Sequence, residues 1–574
     1  MINNITKINQ VLTYKLKIKV LINLILSFFI PFLELISIGA VSALVLFVID
    51  IETYLNYIPK FVYENFFPDL NKKNIIFVLS ILMLIAILIK NVFLLYYAYF
   101  ENSIKREISA YHAKILFTKF NNVSYLDHTK EDSSKYQNEV LNQSSKCSDF
   151  IFFFISLIKE ILIALILIGS LLIVNLKASI LLIAIGIFLS LIIYIFSSKR
   201  TRKIGAIAKN KEFELIEIVK NSFEGFKLIK LYGKKNLLSE KFNKIIQFKN
   251  KYEIRQQIIQ KIPRLLFEII FALVIVLLLI SFIRENTQIK EILPFIIFLS
   301  LISIRLLPIF SNLNVTIMSL KYFEKPVEDL FNLLISKDEN KITKKFKSEN
   351  QKIEKIDVIK IKNLTFSYPN MPYEIIQNVN LELLPNNIYC ITGKTGCGKS
   401  TFLDLLTGIL TPKKGEILIN NYNILANLNG WQKNIGYVAQ DNFLINDSIK
   451  NNICFFDKDF NEKKFEASII NAELKEFIDQ LYLKENTIVG DRGIQISGGQ
   501  KQRIGLARAL YYDRKILAFD EATSAVDKET ENMIIQTLHK IKKDKIIIFI
   551  AHQESAIRSS DINLHMNNQS ITII

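Results

Sequence analysis

The stretch Gly393, Lys394, Thr395, Gly396, Cys397, Gly398, Lys399, Ser400, Thr401 carries the densest chemistry in the chain. Gly393 is followed, after four residues, by Gly-Lys-Ser, behind the apolar run IYCIT and ahead of the helix-like TFLDLLTGIL. That spacing between a strand and a helix is a P-loop. Its glycines let backbone N–H groups close around a phosphate at a helix N-terminus, Lys399 reaches the β- and γ-phosphates, and Ser400 offers a hydroxyl to Mg2+. Further on, KILAFDE delivers Asp520 and Glu521 at the end of a second apolar run. Asp520 is placed for the metal shell, and Glu521 to polarise an attacking water, because a loose phosphoryl-transfer transition state is stabilised by positioning and electrostatics. ATP and Mg2+ are the expected cofactors.

Between these motifs lies ISGGQKQRIGLARAL, with Ser497, Gly498, Gly499 and Gln500 at a helix start, a second anion-binding device. With this motif the chain resembles the ABC-transporter superfamily. The resemblance implies that the Ser497–Gln500 signature closes over the γ-phosphate of a nucleotide held by another copy of the domain. Ile496 departs from the usual leucine. The same resemblance implies adenine stacking by Tyr368 in FSYPN, a Q-loop role for Gln440 in IGYVAQDN, a D-loop role for Asp527 in SAVD, and a γ-phosphate switch at His552 in IAHQ. Catalysis is then expected from Glu521, His552 and Gln440, and metal contact from Ser400, Gln440 and Asp520. IVGDRG, ending at Gly493, is similar to the segment with which exporters of this superfamily contact their membrane domain. One signature and one P-loop per chain imply that two chains complete each nucleotide site, most economically as a homodimer.

These motifs occupy the polar end of an otherwise apolar chain. Half the residues are hydrophobic and the formal charge is +18. Lysine beside apolar runs reports the cytoplasmic flanks of a membrane protein, not a nucleic-acid surface. Runs able to cross a ~30 Å hydrocarbon core fall at about 20–49, 74–100, 149–175, 178–198, 262–283 and 291–318. The first is too long for a cleavable signal and lacks a small-residue cleavage site. The charged connections 101–148 and 199–261 are expected in the cytoplasm with both termini. Coupling segments are expected near 128–140 and 221–233, and YLNYIPKFVYENFF suggests a surface helix within 51–73. The four cysteines have no metal-ligand spacing. The predicted fold is an all-α polytopic membrane domain of six transmembrane helices (1–323), a lysine-rich linker (324–355) and an α/β P-loop NTPase domain (356–574).

Charges at membrane depth are functional-site hypotheses. At ~1.5 Å per residue, Lys90, Arg264 and Arg305 sit roughly 20–30 Å from the outer ends of their spans. Glu34 and Glu268 are available as counter-charges, which leaves one excess cation per chain and an anion-attracting cavity. IPRLLFEII, IRLLPIF and the lysine in ILIKNVFLLYYAYF look similar to positions in bacterial lipid-linked oligosaccharide flippases. That resemblance implies an inner-membrane protein moving an anionic lipid-linked saccharide (a polyprenyl-pyrophosphate glycan) outward, with Lys90, Arg264 and Arg305 on the pyrophosphate. The alternative is an exporter of peptides, hydrophobic drugs or other lipids.

Overall fold

The computed structural model describes residues 8, 10–49, 72–174, 176–284, 289–335, 353, 355–369, 371–522, 527–551 and 557–574. The chain divides into two compact units, Met1–Val123 with Lys130–Asp338, and Ser124–Thr129 with Glu339–Ile574.

Among the described residues of the first unit, six long helices dominate: α1 (Tyr14–Ile49), α2 (Lys72–Asn121), α3 (Ser144–Val174), α4 (Leu176–Glu224), α5 (Lys235–Arg284) and α6 (Ile289–Ile335). Four described stretches are long and apolar enough to cross a membrane, Tyr14–Val41, Ile76–Asn121, Ser133–Gly169 and Ile183–Glu224. Helix is the form lipid demands, because each backbone N–H and C=O must be satisfied within the segment. At 50 residues, α2 is about 75 Å long and extends well beyond any hydrocarbon core.

The charged stretches 101–148 and 199–261, expected as connections, are therefore helix over most of their length. Lysine, glutamate and glutamine are good helix formers, and pairs such as Lys249 with Glu253 at 3.4 Å support the exposed faces. Breaks come where the sequence supplies them. Asp132 caps Ser133–Asn138 by accepting from the Ser134 N–H at 2.7 Å, after a short helix at Tyr125–Lys130. Gly225 precedes the short helix Phe226–Leu231, and Gly233 follows it in the left-handed region. Helix α6 continues past Phe323 to Ile335 because Val327, Leu330 and Phe331 form a buried stripe. The first part of the stretch expected as linker is thus helical. The surface helix expected within 51–73 falls mostly outside the described residues.

The second unit has two sheets. Strands β1 (Ile359–Phe366), β2 (Ile376–Leu383), β4 (Lys414–Ile419) and β5 (Tyr422–Asn423) pair antiparallel in the order β2-β1-β4-β5. The larger sheet runs β10-β9-β3-β8-β7-β6, from β3 (Asn387–Thr392), β6 (Ile435–Val438), β7 (Ile516–Asp520), β8 (Ile546–Ile550), β9 (Ile562–Asn567) and β10 (Ser570–Ile573). Its pairs are parallel except the terminal β9–β10 hairpin. Strand β8, IIIFI, is buried at every position, as a central parallel strand covered on both faces must be. Helix α7 (Lys399–Leu406) follows β3 and packs into the core shared with the antiparallel sheet. Helix α8 (Gly498–Tyr511) packs in a separate apolar cluster, and α9 (Lys528–Ile541) follows β7.

Candidate functional site

Ligand sites in open α/β sheets form beyond the carboxyl ends of the parallel strands, and here β3, β7 and β6 end in the P-loop, Asp520 and the segment leading to Gln440. The register places Ile391 of β3 and Asp520 of β7 opposite the same residue of β8, Ile550. The two chemistries therefore face each other across one strand.

In the P-loop, Gly393 adopts φ +150° and Gly398 φ +107°. A Cβ on Gly393 would lie 2.5 Å from the Met566 carbonyl oxygen, and one on Gly398 2.7 Å from Ile375 Cγ2, so only glycine fits both turns. Lys394, Thr395 and Gly396 form the exposed tip, and Cys397 closes a turn by donating its N–H to the Lys394 carbonyl at 3.2 Å. The first N–H groups of α7, on Lys399, Ser400 and Thr401, have no acceptor within the helix and are the donors an anion needs. Lys399 is buried, its ammonium donating to the carbonyls of Gly393 at 3.0 Å and Lys394 at 3.1 Å. Ser400 Oγ donates to Asp520 Oδ1 at 3.0 Å. Burial holds the Asp520 carboxyl above the ordinary carboxylate range; the Ser400 hydroxyl opposes that and neighbouring Glu521 adds to it. A divalent cation would favour the ionised carboxylate, so Ser400 and Asp520 fit Mg2+.

Glu521 stands at φ +48°, a left-handed conformation rare for a glutamate. Strain of this kind is characteristic of active sites. Gln440 Nε2 donates to Glu521 Oε2 at 2.7 Å, which joins the third expected metal contact to the expected base. Tyr368 packs edge-on against Phe366 with ring centroids 5.1 Å apart, and its hydroxyl is 3.3 Å from Thr401 Oγ1. An aromatic ring is thus fixed beside the P-loop helix. His552 follows β8 but lies outside the described residues.

Ser497 caps α8 in a reciprocal capping box, its Oγ accepting from the Gln500 N–H at 3.3 Å while Gln500 Oε1 accepts from the Ser497 N–H at 2.8 Å. Gly498 and Gly499 are the first residues of that helix. Asp527 caps α9, accepting from the Thr530 N–H at 3.0 Å, and this bond holds its carboxyl below the usual range. Among the described residues no hydrogen bond or ion pair joins Ser497–Gln500 to the P-loop.

Two of the three cations assigned to cargo, Lys90 and Arg264, have described side chains, and their settings differ. Lys90 is buried, its ammonium 3.7 Å from Glu34 Oε2. Arg264 is exposed on α5, as is Glu268 one turn on. Arg305 lies on α6 with its side chain outside the description. Further charges stand in the same helices: Lys159 and Glu160, which interrupt the apolar run FISLIKEILIAL, and Glu101 on α2. Glu160 is buried, Lys159 lies 5.4 Å from the centre of the Tyr97 ring, and Glu101 and Glu160 are within electrostatic reach of Tyr97. Counted together, the described groups show no surplus of positive charge. The signal was a charged pair in mid-span.

Comparison with known proteins agrees with this geometry. Residues 376–524 match the family described as ABC transporter. The leukotoxin export ATP-binding protein LtxB of Aggregatibacter actinomycetemcomitans is 38% identical over 215 residues, 37% of this chain and 30% of that protein. The leukotoxin translocation ATP-binding protein LktB of Mannheimia haemolytica is 42% identical over 205 residues, 35% of this chain and 29% of that protein. The chain thus spans about a third of the length of these curated relatives. A solved structure of a bacterial Atm1-family ABC exporter with ATP bound superposes with a TM-score of 0.74 at 19% identity, covering 93% of both chains. The fold is that of the solved ABC exporter, a helical domain joined to an α/β domain, and within the α/β domain residues 376–524 match the ABC transporter model.

Proposed function

We propose that this chain is an ATP-hydrolysing exporter that works as a pair of chains in a bacterial inner membrane. The observation that carries the reading is the convergence of Lys399, Ser400, Asp520, Glu521 and Gln440 beyond the ends of adjacent strands. Lys399 and the N-terminal N–H groups of α7 bind the β- and γ-phosphates, and Tyr368 holds the base. Mg2+, held by Ser400 and Asp520 with Gln440 alongside, supplies charge neutralisation at the transferring phosphoryl group. Glu521 orients water for in-line attack, and Gln440 fixes the Glu521 carboxylate. The signature of a second chain completes the site.

For the cargo we carry forward an anionic lipid-linked saccharide, supported by Arg264, exposed on α5, and by the arginine at 305 on α6. The pairing of Lys90 with Glu34 removes one leg of that argument. A polypeptide cargo is supported by the names of the leukotoxin export proteins, which this chain matches over 215 and 205 residues. The test is reconstitution in liposomes with a polyprenyl-pyrophosphate saccharide or an unfolded polypeptide as cargo. Glu521→Gln is expected to retain ATP binding and abolish turnover, and Arg264→Ala to retain ATPase activity and lose flipping of the saccharide. ATP turnover that survives Glu521→Gln refutes the assigned chemistry. Transport of polypeptide without saccharide flipping refutes the lipid cargo.

A further inference from the structure

Asp520 has a second partner that neither the motifs nor the proposed chemistry uses. Tyr437 lies on β6, and the parallel register sets it opposite Ala518 of β7, two residues before Asp520. Its hydroxyl donates to Asp520 Oδ2 at 3.5 Å, while Ser400 Oγ donates to Oδ1. The two carboxylate oxygens are thus held from opposite sides, one by the P-loop helix and one by the neighbouring strand. The Ser400 bond is an ordinary one. The Tyr437 bond stands at the outer limit of hydrogen bonding, so a displacement of a few tenths of an ångström makes or breaks it.

The tyrosine ring packs on the core between the two sheets, and Leu126 packs on the same core. Leu126 belongs to the short helix Tyr125–Lys130, and its neighbour Tyr125 lies within electrostatic reach of the Tyr437 hydroxyl. This helix comes from the break between α2 and the helices leading to α3, yet Ser124–Thr129 clusters with the nucleotide-binding unit.

We infer that Tyr437 is a positioning residue that sets the orientation of the Asp520 carboxylate for the metal, and that the helix Tyr125–Lys130 acts on the site through it. This rests on the ATPase reading given above and deepens it. The route is separate from Gln440, which holds Glu521 and not Asp520. The physical basis is the general dependence of a metal-ligating carboxylate on the hydrogen bonds of its other oxygen.

The experiment uses the full chain in nanodiscs, with Mn2+ in place of Mg2+ and its binding in the presence of ATP read by electron paramagnetic resonance. Tyr437→Phe removes only the hydroxyl and is expected to weaken Mn2+ binding about tenfold, the lower end of the effect of such outer partners because the bond is long. Binding of a fluorescent ATP analogue in EDTA is expected to be unchanged. Tyr125→Phe is expected to shift Mn2+ affinity in the parent chain and to have no effect in the Tyr437→Phe background. Unchanged Mn2+ affinity in Tyr437→Phe, or equal effects of Tyr125→Phe in both backgrounds, overturns the inference while leaving the ATPase reading intact. A parent chain that takes up no Mn2+ with ATP overturns both.

Discussion

Asp404 offers a stability test that runs against the usual sign for a carboxylate. It lies on α7 one turn after Ser400, and burial, followed by the nearby Asp520 charge, raises its pKa from 3.8 to about 6. A raised carboxyl pKa means the folded state binds the proton more tightly than the unfolded chain does. Its contribution is therefore fully favourable below the unfolded value and is lost as pH rises from about 4 to about 6. At about 1.36 kcal/mol per unit the ceiling is about 3 kcal/mol. Asp404 is only half buried, and solvent screening brings the expected effect to about 1 kcal/mol. Asp404→Asn, neutral at every pH, is thus expected to stabilise the nucleotide-binding unit by about 1 kcal/mol at pH 7.5 and to change little at pH 4. The chain carries its own reporter. Its single tryptophan, Trp431, is fully buried and donates from Nε1 to the carbonyl of Leu406, the last residue of α7, at 2.9 Å. Denaturation of parent and variant in detergent with EDTA, followed by Trp431 fluorescence at several pH values, isolates the difference, because the other titrating groups are common to both chains. A variant less stable than the parent at pH 7.5, or a difference that does not shrink on acidification, refutes the reasoning.

Gly205→Ala places a Cβ on α4 at 1.8 Å from the Tyr322 carbonyl oxygen of α6, where ordinary contacts begin at 3.4 Å. The two helices must part, and a loss of about 1–3 kcal/mol is expected as earlier thermal aggregation of the purified chain; an unchanged profile contradicts the close approach. Ser497→Ala removes the acceptor that caps α8. It is expected to cost that helix about 1 kcal/mol, visible as faster hydrogen exchange in its first turn, together with reduced ATP turnover. Burial pushes the thiols of Cys390 and Cys454 up to about 11, so maleimide labelling of the native chain at pH 7.5 is expected at Cys397, with Mg-ATP slowing it. Equal labelling of Cys390 refutes the burial argument.

The strand–loop–helix setting of the P-loop and the strand end at Asp520 were legible in the sequence, because motifs of this kind fix both residue type and spacing. Gly393 and Gly398 cannot be replaced without meeting Met566 and Ile375, and Asp520 must end a strand to meet Ser400. The sheet order was not legible, because it depends on which strands meet across long crossovers; nothing local in IIIFI says that β8 lies between β3 and β7. The charged stretches were read as connections because charge suggests water, yet water-exposed helices are built from the same residues, and only the glycines at 225 and 233 and the cap at Asp132 marked the true breaks. The contact of Tyr437 with Asp520 depends on the strand beside it, and a tyrosine in an apolar run gives no sign of its neighbour.

The membrane half follows a different logic, since a span requires apolar character and little else, and its few charges are interpretable only with their partners. An anion using Lys90 must displace Glu34, and separating a buried ion pair leaves an uncompensated charge at about 3–5 kcal/mol. That exceeds what one charge-assisted hydrogen bond returns, about 1.5–3 kcal/mol. Arg264 carries no such penalty, being exposed on α5. If an anionic head group travels through this domain, α5 offers it a lower-energy contact than α2. Lys90 then serves the packing of α1 against α2, and substituting Glu34 and Lys90 together by apolar residues of similar volume removes both charges at once without touching the route.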